Sequence, residues 1–422
     1  MISYYRFKVF LETHLLNPLF IIPQDYCPTY STKIEGFNRN DDGKNFYHGR
    51  QYSHDFNGNC IFWYEELLNS QDLNDLSDRT LLIGKLYPEC REWYNCEIPA
   101  HGPIMYNVNI QLFANSEKSA LKKQWIKNNP PMLDWYFFFH GFAALDWFRD
   151  FEYVQNVCEY PISKVFICLN HIINNNRSYR LLLLSLLKEQ NLLSSGIVSA
   201  PLLTQDVIKK EAFDDATRLS KSSKLHIIKN LYDDAAPMTI KENSNSIFDK
   251  NINYNHASAE IPDFFYQAFW NIVTETNFYD EKLHLTEKIF KPIAIKRPFI
   301  LVSSPGNLAY LKSYGFKTFE QWIDESYDSE PDHDKRLRMI VDQIKKLCQL
   351  TPYELNKMYQ EMSDVLEYNH HHFFNDFKKI IVDELVDNFE ACTKIYNLSL
   401  SERFRLPTEL VDFNKVKQIL LK

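Results

Sequence analysis

Short, wholly apolar runs separated by segments of helical period constrain this chain more than any other feature. "WYFFFHG" (Trp135–Gly141), "KVFICLN" (Lys164–Asn170) and "PFILV" (Pro298–Val302) show no alternation of polar and apolar residues. A strand with one wet face alternates, whereas a run apolar on both faces belongs inside a parallel sheet covered on each side by helices. Between the second and third runs, "RSYRLLLLSLLKEQNLL" reads as a helix closed by Gly196, and "GIVSA" opens a further strand. Strand, helix, strand is the βαβ order.

The same reading extends in both directions. "IMYNVNIQLF" predicts a strand, and "SEKSALKKQWIKNN" a helix capped by Asn115 or Ser116. The strand "WYFFFHG" ends at His140-Gly141, and "AALDWFRDFEYV" follows as a helix. Downstream, "PDFFYQAFWNIVTET" reads as helix then strand, and "GNLAYLKSYG" as a short helix closed by Gly315. Thr351-Pro352 is a cap followed by an N1 proline, and the chain from Asp332 onward is mostly helical. The expected architecture is α/β. Residues 1–158 form a first Rossmann-like domain, 159–385 a second, and 386–422 a helical segment packing back on the first. The polar stretch 201–258 is long enough for a functional lid.

Composition excludes several functions. The chain has 422 residues but only 10 glycines, and neither GxGxxG nor GxxxxGK occurs. HExxH and GxSxG are also absent. A net charge of −8 weighs against general nucleic-acid binding, although a local basic cleft is compatible with it. The eight cysteines include no CxxC pair and read as buried free thiols. That suits a reducing compartment, so the expected location is the cytoplasm, the host's if the chain is viral. The N-terminus lacks the pattern of a signal peptide, and no run of 18 apolar residues predicts a membrane span.

Three constellations carry chemistry. In "VTETNFYDEKLHLTEKIFKPIAIKRPFILV", Glu275 follows a strand, Thr286 is placed as a helix cap, and Glu287 is the first helical residue. Amides at that helix start and the Lys288 ammonium favour an anion such as a phosphate. A carboxylate there fits the paired hydroxyls of a ribose, though Glu287 also fits a plain dipole complement paired with Lys291. Pro292 should kink this helix. In "LNHIINNNRSYR", Arg177 and Arg180 open a helix where their charge opposes the dipole. They fit either a grip on a pyrophosphate or a solvated turn. In "FFFHGFAALDWFRD", His140 at a strand end and Asp146 in the next helix fit a general base and its partner, or a structural histidine.

Two further signals are discounted. Asp332-His333-Asp334 matches an Asp-x-Asp metal pattern but sits at a charged helix start. His370, His371 and His372 are consecutive, and on a helix they point in different directions.

The order Arg-rich helix start, Glu275, Thr286-Glu287-Lys288, then Pro298-Phe299-Ile300 resembles nucleotide-sugar glycosyltransferases of the GT-B fold, in particular the fucosyltransferase and exostosin-like group. The segment from His284 to Asp328 is also similar to glycosyltransferase-like proteins of bacteria and their phages. The likeness covers residues 160–328. It implies two Rossmann-like domains facing across a cleft, with a nucleoside-diphosphate sugar held by the second and an acceptor by the first. By position, Glu287 would contact the ribose, Lys288 and Arg177 or Arg180 the diphosphate, and Glu275 the donor sugar. No metal cofactor is implied. The acceptor implied by default is a glycan hydroxyl. A hydroxylated or hydroxymethylated base in phage DNA is the rival, and a non-catalytic nucleotide-sugar-binding or virion-associated scaffold is the other alternative.

Overall fold

The computed structural model describes residues 20–23, 59–64, 109–115, 118–128, 133–153, 162–170, 172–173, 175–199, 210, 212–216, 263–399 and 412–421. The chain divides into two compact units, Met1–Asp146 with Lys378–Lys422, and Trp147–Phe377. Among the described residues each unit shows a four-stranded parallel sheet with helices, so the protein is mixed α/β and loosely Rossmann-like.

In the first unit, β1 (Phe20–Pro23), β2 (Asn59–Tyr64), β3 (Asn109–Asn115) and β4 (Leu133–Tyr136) lie side by side in chain order. Helix α1 (Ala120–Asn128) connects β3 to β4. Its cap differs from the expected Asn115 or Ser116, because β3 runs on through Asn115. Ser119 takes the role, its Oγ accepting from Lys122 N at 3.1 Å. Strand β4 stops at Tyr136, and α2 (Phe139–Trp147) begins three residues later. His140 is therefore the second residue of a helix rather than the end of a strand. The apolar run that suggested a longer strand is a buried helix start, which lacks alternation for the same reason. Helix α9 (Lys378–Ser399) covers β4. Trp135 Nε1 donates to Leu385 O at 3.1 Å, the Trp135 ring lies tilted against Phe389 with centroids 4.8 Å apart, and Asn388 Nδ2 donates to Tyr136 O at 3.0 Å.

In the second unit, β5 (Lys164–Leu169), β6 (Gly196–Ser199), β7 (Ala268–Thr274) and β8 (Phe299–Val302) are arranged in the order β8-β7-β5-β6. Helix α3 (Tyr179–Glu189) links β5 to β6 and α4 (Glu287–Ala294) links β7 to β8. After β8 come α5 (Asn307–Ser313), α6 (His333–Cys348), α7 (Pro352–Glu361) and α8 (Ser363–His371). Every residue of β7 and β8 is buried, as the unbroken apolar runs require. Most of the polar stretch 201–258 lies outside the described residues.

Gly196 does not close α3. Asn191 does, with φ 58°, as Asn191 N donates to Lys188 O at 2.9 Å and Leu192 N to Leu187 O at 2.8 Å. Asparagine tolerates the left-handed conformation that such a closure needs. Gly196 instead starts β6, where an added Cβ would lie 2.4 Å from the ring of the buried Phe166. Gly196→Ala is expected to cost about 1–3 kcal/mol by overpacking, read as a lower midpoint in urea. An unchanged midpoint would mean that the ring relaxes freely.

Other starts and stops follow the sequence. Thr351 and Glu354 form a reciprocal capping box around Pro352, the first residue of α7, and Gly315 at φ 92° ends α5. Pro292 lies inside α4 without interrupting it, since the helix ends two residues later at Ala294. Phe290 on α4 stacks at 5.3 Å on Phe373 of the π-helical turn His372–Phe377.

Candidate functional site

The site is built where the second sheet's strands end. The chain passes from β5 to β6 on one side, then returns across β5 to β7 on the other. The connections thus diverge between β5 and β7, and in open parallel sheets the crevice at such a point is where ligands bind. Two polar residues mark these strand ends. Thr274 Oγ1 donates to Asn170 Oδ1 at 3.2 Å, and Asn170 Nδ2 donates to Ser199 O at 3.2 Å, joining the ends of β5, β6 and β7.

Arg180 lies at this divergence and is turned inward, 4% exposed. Its Nη1 donates to Ile172 O at 2.7 Å, and its Nη2 to Thr274 O at 2.7 Å and Glu275 O at 3.2 Å. The guanidinium is thus committed to carbonyls at the strand ends. These carbonyls also offset its unfavourable place in the first turn of α3. The Tyr179 hydroxyl adds a bond to Glu275 O at 2.6 Å. Burial pushes the Tyr179 phenol up to about 12, with Arg180 pulling the other way, so it remains a neutral donor. Arg177 lies in the 3-10 turn Asn175–Arg177 before α3 and is half-buried.

Glu275 is fully buried. Its carboxylate accepts from Thr286 N at 3.1 Å, Thr286 Oγ1 at 2.5 Å and Thr276 N at 3.3 Å. The side chain therefore anchors the start of α4. Thr286 is the N-cap of that helix, and its hydroxyl accepts from Lys288 N at 3.4 Å and Lys288 Nζ at 3.1 Å. Lys288 Nζ lies 3.1 Å from Glu287 Oε1, with side-chain exposures of 37% and 9%. A continuous polar path thus runs from a buried carboxylate through a hydroxyl to an ammonium that reaches solvent. Glu287 pairs with its neighbour Lys288 in this arrangement.

The surrounding loops are latched to one another. Asn277 Nδ2 donates to Ser304 Oγ at 3.3 Å, and Ser304 N to Asn277 O at 3.2 Å. Asn307 Nδ2 donates to Lys282 O at 3.1 Å, while its Oδ1 accepts from His284 N at 2.9 Å. At the start of α5, Asp328 accepts from Leu308 N at 3.0 Å and Ala309 N at 3.2 Å. Burial raises the Asp328 carboxyl above its ordinary value, and these amide bonds pull it back. The amides of that helix start are taken by an internal anion, whereas the start of α4 carries an ammonium at its rim.

His140 and Asp146 are not brought together as a pair. Both lie on α2, six residues apart, which sets them roughly 120° apart around the axis. His140 is buried edge-on against Phe139 at 5.2 Å, and Asp146 is half-buried. These two belong to the first unit, and the Glu275–Lys288 cluster to the second. The consecutive histidines diverge: His370 Nε2 meets Phe151 O at 3.1 Å and His372 Nε2 meets Tyr314 O at 2.7 Å. Asp332 caps α6 through Lys335 N. Among the described residues no group of three His, Cys, Asp or Glu is placed to hold a metal ion, and no helix is long and apolar enough to cross a membrane.

Asn170, Asn277, Ser304 and Asn307 escaped the sequence reading. Asn170 carried a usable signal, as the polar residue immediately after an apolar strand. The other three have local partners too, but they latch the loops through partners 22 to 27 residues away, which no local pattern records.

No family model, curated protein or solved structure matches the chain.

Proposed function

We propose that the protein is a nucleotide-sugar glycosyltransferase of the GT-B kind, moving a sugar from a nucleoside diphosphate to an acceptor hydroxyl, by default on a glycan. One observation carries this reading. Glu275, Thr286, Lys288 and Glu287 are linked by bonds of 2.5–3.1 Å where a parallel strand hands over to a helix. Lys288 at the rim supplies positive charge for a diphosphate beside the helix-start amides. Glu287 supplies two acceptor oxygens for a ribose diol. Arg177, half-buried in the turn before α3, supplies a second cation. Glu275 and Arg180 hold these groups in place from within, a more internal role than a direct grip on the donor.

In the reaction the acceptor oxygen bonds to the anomeric carbon as the bond from that carbon to the diphosphate oxygen breaks. The electron pair leaves with the diphosphate and the hydroxyl proton passes to a base. The cations act on the leaving group, where negative charge develops.

A melting-temperature screen with UDP-, GDP-, CMP- and dTDP-sugars tests the reading. One nucleoside-diphosphate class, UDP, GDP or dTDP, is expected to stabilise the protein by about 2.7 kcal/mol at a hundredfold excess over its dissociation constant, with release of the diphosphate once acceptor is added, and the CMP-sugars, which carry a single phosphate, serve as the control. Absence of a shift with every donor would remove the assignment. Lys288→Ala and Glu287→Ala are each expected to lower kcat/KM roughly tenfold or more, about 1.4 kcal/mol. Wild-type kinetics in both would assign the donor to another place.

A further inference from the structure

The loop that follows β7 is held at its far end by a second buried guanidinium. Arg336, on the first turn of α6, is 1% exposed. Its Nη2 donates to Phe278 O, and its Nη1 to Glu330 O at 2.7 Å. Its guanidinium carbon lies 4.3 Å from the centre of the Phe278 ring. Phe278 in turn stacks on Tyr179 at 4.4 Å with an interplanar angle of 18°, and the Tyr179 hydroxyl reaches Glu275 O. The run Thr274–Phe278 is therefore clamped by Arg180 on its first two carbonyls and by Arg336 on its last.

Stability alone is a poor explanation for this arrangement. Burying a cation costs desolvation that a carbonyl acceptor repays only in part, and an apolar side chain of similar length would fill the space without that cost. The Arg336 Nε adds to the cost, because among the described residues it has no hydrogen-bond partner. Its position at the start of α6 also sets its charge against the helix dipole. Burial pulls the guanidinium down to about 10, with Asp328, Glu330 and Asp332 holding it up, so it is still a cation at neutral pH. What the guanidinium supplies, and an apolar chain does not, is a directional bond that fixes how the peptide at Phe278 is turned.

The same segment also reaches the neighbouring strand end. Asp328, eight residues before Arg336, accepts from the amides at the start of α5, and Asp328 O accepts from Gly306 N at 2.7 Å. Residues 328–336 thus bind both the loop after β7 and the loop after β8.

We infer that Arg336 is a positioning residue that fixes the Glu275–Phe278 loop against the start of α5, so that the Thr286–Lys288 cluster is presented in one geometry to its ligand. The ligand named here rests on the glycosyltransferase reading, but the positioning role does not. Arg336 touches neither the donor nor the reacting atoms and acts through Phe278, Tyr179 and Glu275.

Hydrogen exchange on the full chain, without ligand, separates the two ideas. Arg336→Met keeps length and apolar packing but leaves Phe278 O and Glu330 O without the guanidinium, so its melting temperature is expected to fall by roughly 5–10 °C while the protein still folds. Its amides from Thr276 to Tyr279 are expected to exchange at least roughly tenfold faster, while those of β7 and β8 stay protected. Arg336→Lys, which keeps the charge and one reach to Phe278 O, is expected to recover part of that protection. With the donor found in the melting screen, Arg336→Met is expected to raise KM at least roughly tenfold in the folded protein. Unchanged exchange in this loop, or acceleration spread evenly over the second unit, would overturn the inference. A wild-type protein that binds no nucleotide sugar would overturn the proposed function instead, and the exchange measurement would still decide the role of Arg336.

Discussion

Arg180→Ala is expected to remove about 3–5 kcal/mol from the stability of the second unit. The change leaves two carbonyls, those of Ile172 and Thr274, without the guanidinium they have in the native protein, while Glu275 O keeps only the Tyr179 hydroxyl. Each buried acceptor left unpaired costs about 1–3 kcal/mol, and the vacated side-chain volume adds to the loss. The measurement is a calorimetric scan, in which the transition of this unit should fall by roughly 10 °C. Arg180→Lys should recover little, because an ammonium does not reproduce the planar fork that spans the loops after β5 and β7. A loss below about 1 kcal/mol would show that these carbonyls find water as readily as they find the guanidinium.

Glu275→Ala carries the second-largest expected effect. The carboxylate is fully buried and accepts two bonds from Thr286, so its loss strips the N-cap of its support and leaves the Thr286 amide unpaired. A cost of about 2–4 kcal/mol follows. Thr286→Val alone should cost about 1–2 kcal/mol through loss of the cap. Because both changes break the same bond, the double variant should be more stable than the sum of the two losses by at least about 1 kcal/mol. Chemical denaturation of the four proteins measures this directly. Additive losses would mean that the two residues act independently, and the path from Glu275 to Lys288 would lose its first link. If the proposed function holds, Glu275→Ala should also lower kcat/KM roughly a hundredfold, about 2.7 kcal/mol, by releasing Lys288 from its place.

Much of the second unit was legible in the sequence. The strand ending at Thr274, the cap at Thr286, the first helical residue Glu287 and the closure at Gly315 follow from burial patterns and local backbone preferences. Where local reading failed, a tertiary neighbour had taken over. Gly196 looked like a helix stop, but the ring of Phe166 is what requires a glycine there, and Asn191 does the stopping. His140 looked like a strand end because an apolar helix start and an apolar strand share the same composition over so few residues.

The candidate site divides in the same way. That carboxylates, a hydroxyl and an ammonium gather after β7 is written in their spacing, because a strand end and a helix start bring them within reach. Which of them face inward is not. Arg180 and Glu275 read as ligand-facing groups, yet one is spent on carbonyls of two loops and the other on a helix cap.

By itself the sequence determined the alternation of buried strands and helices, the place where charge collects, and the caps that start and stop its helices. All of these depend on residues within a turn or two of one another. Only the tertiary structure decided which charges are committed inward and which reach the rim. That choice depends on partners such as Thr274 for Arg180 and Phe278 for Arg336, 94 and 58 residues away. A buried charge is tolerated only where distant acceptors converge on it, and local spacing carries no record of that convergence.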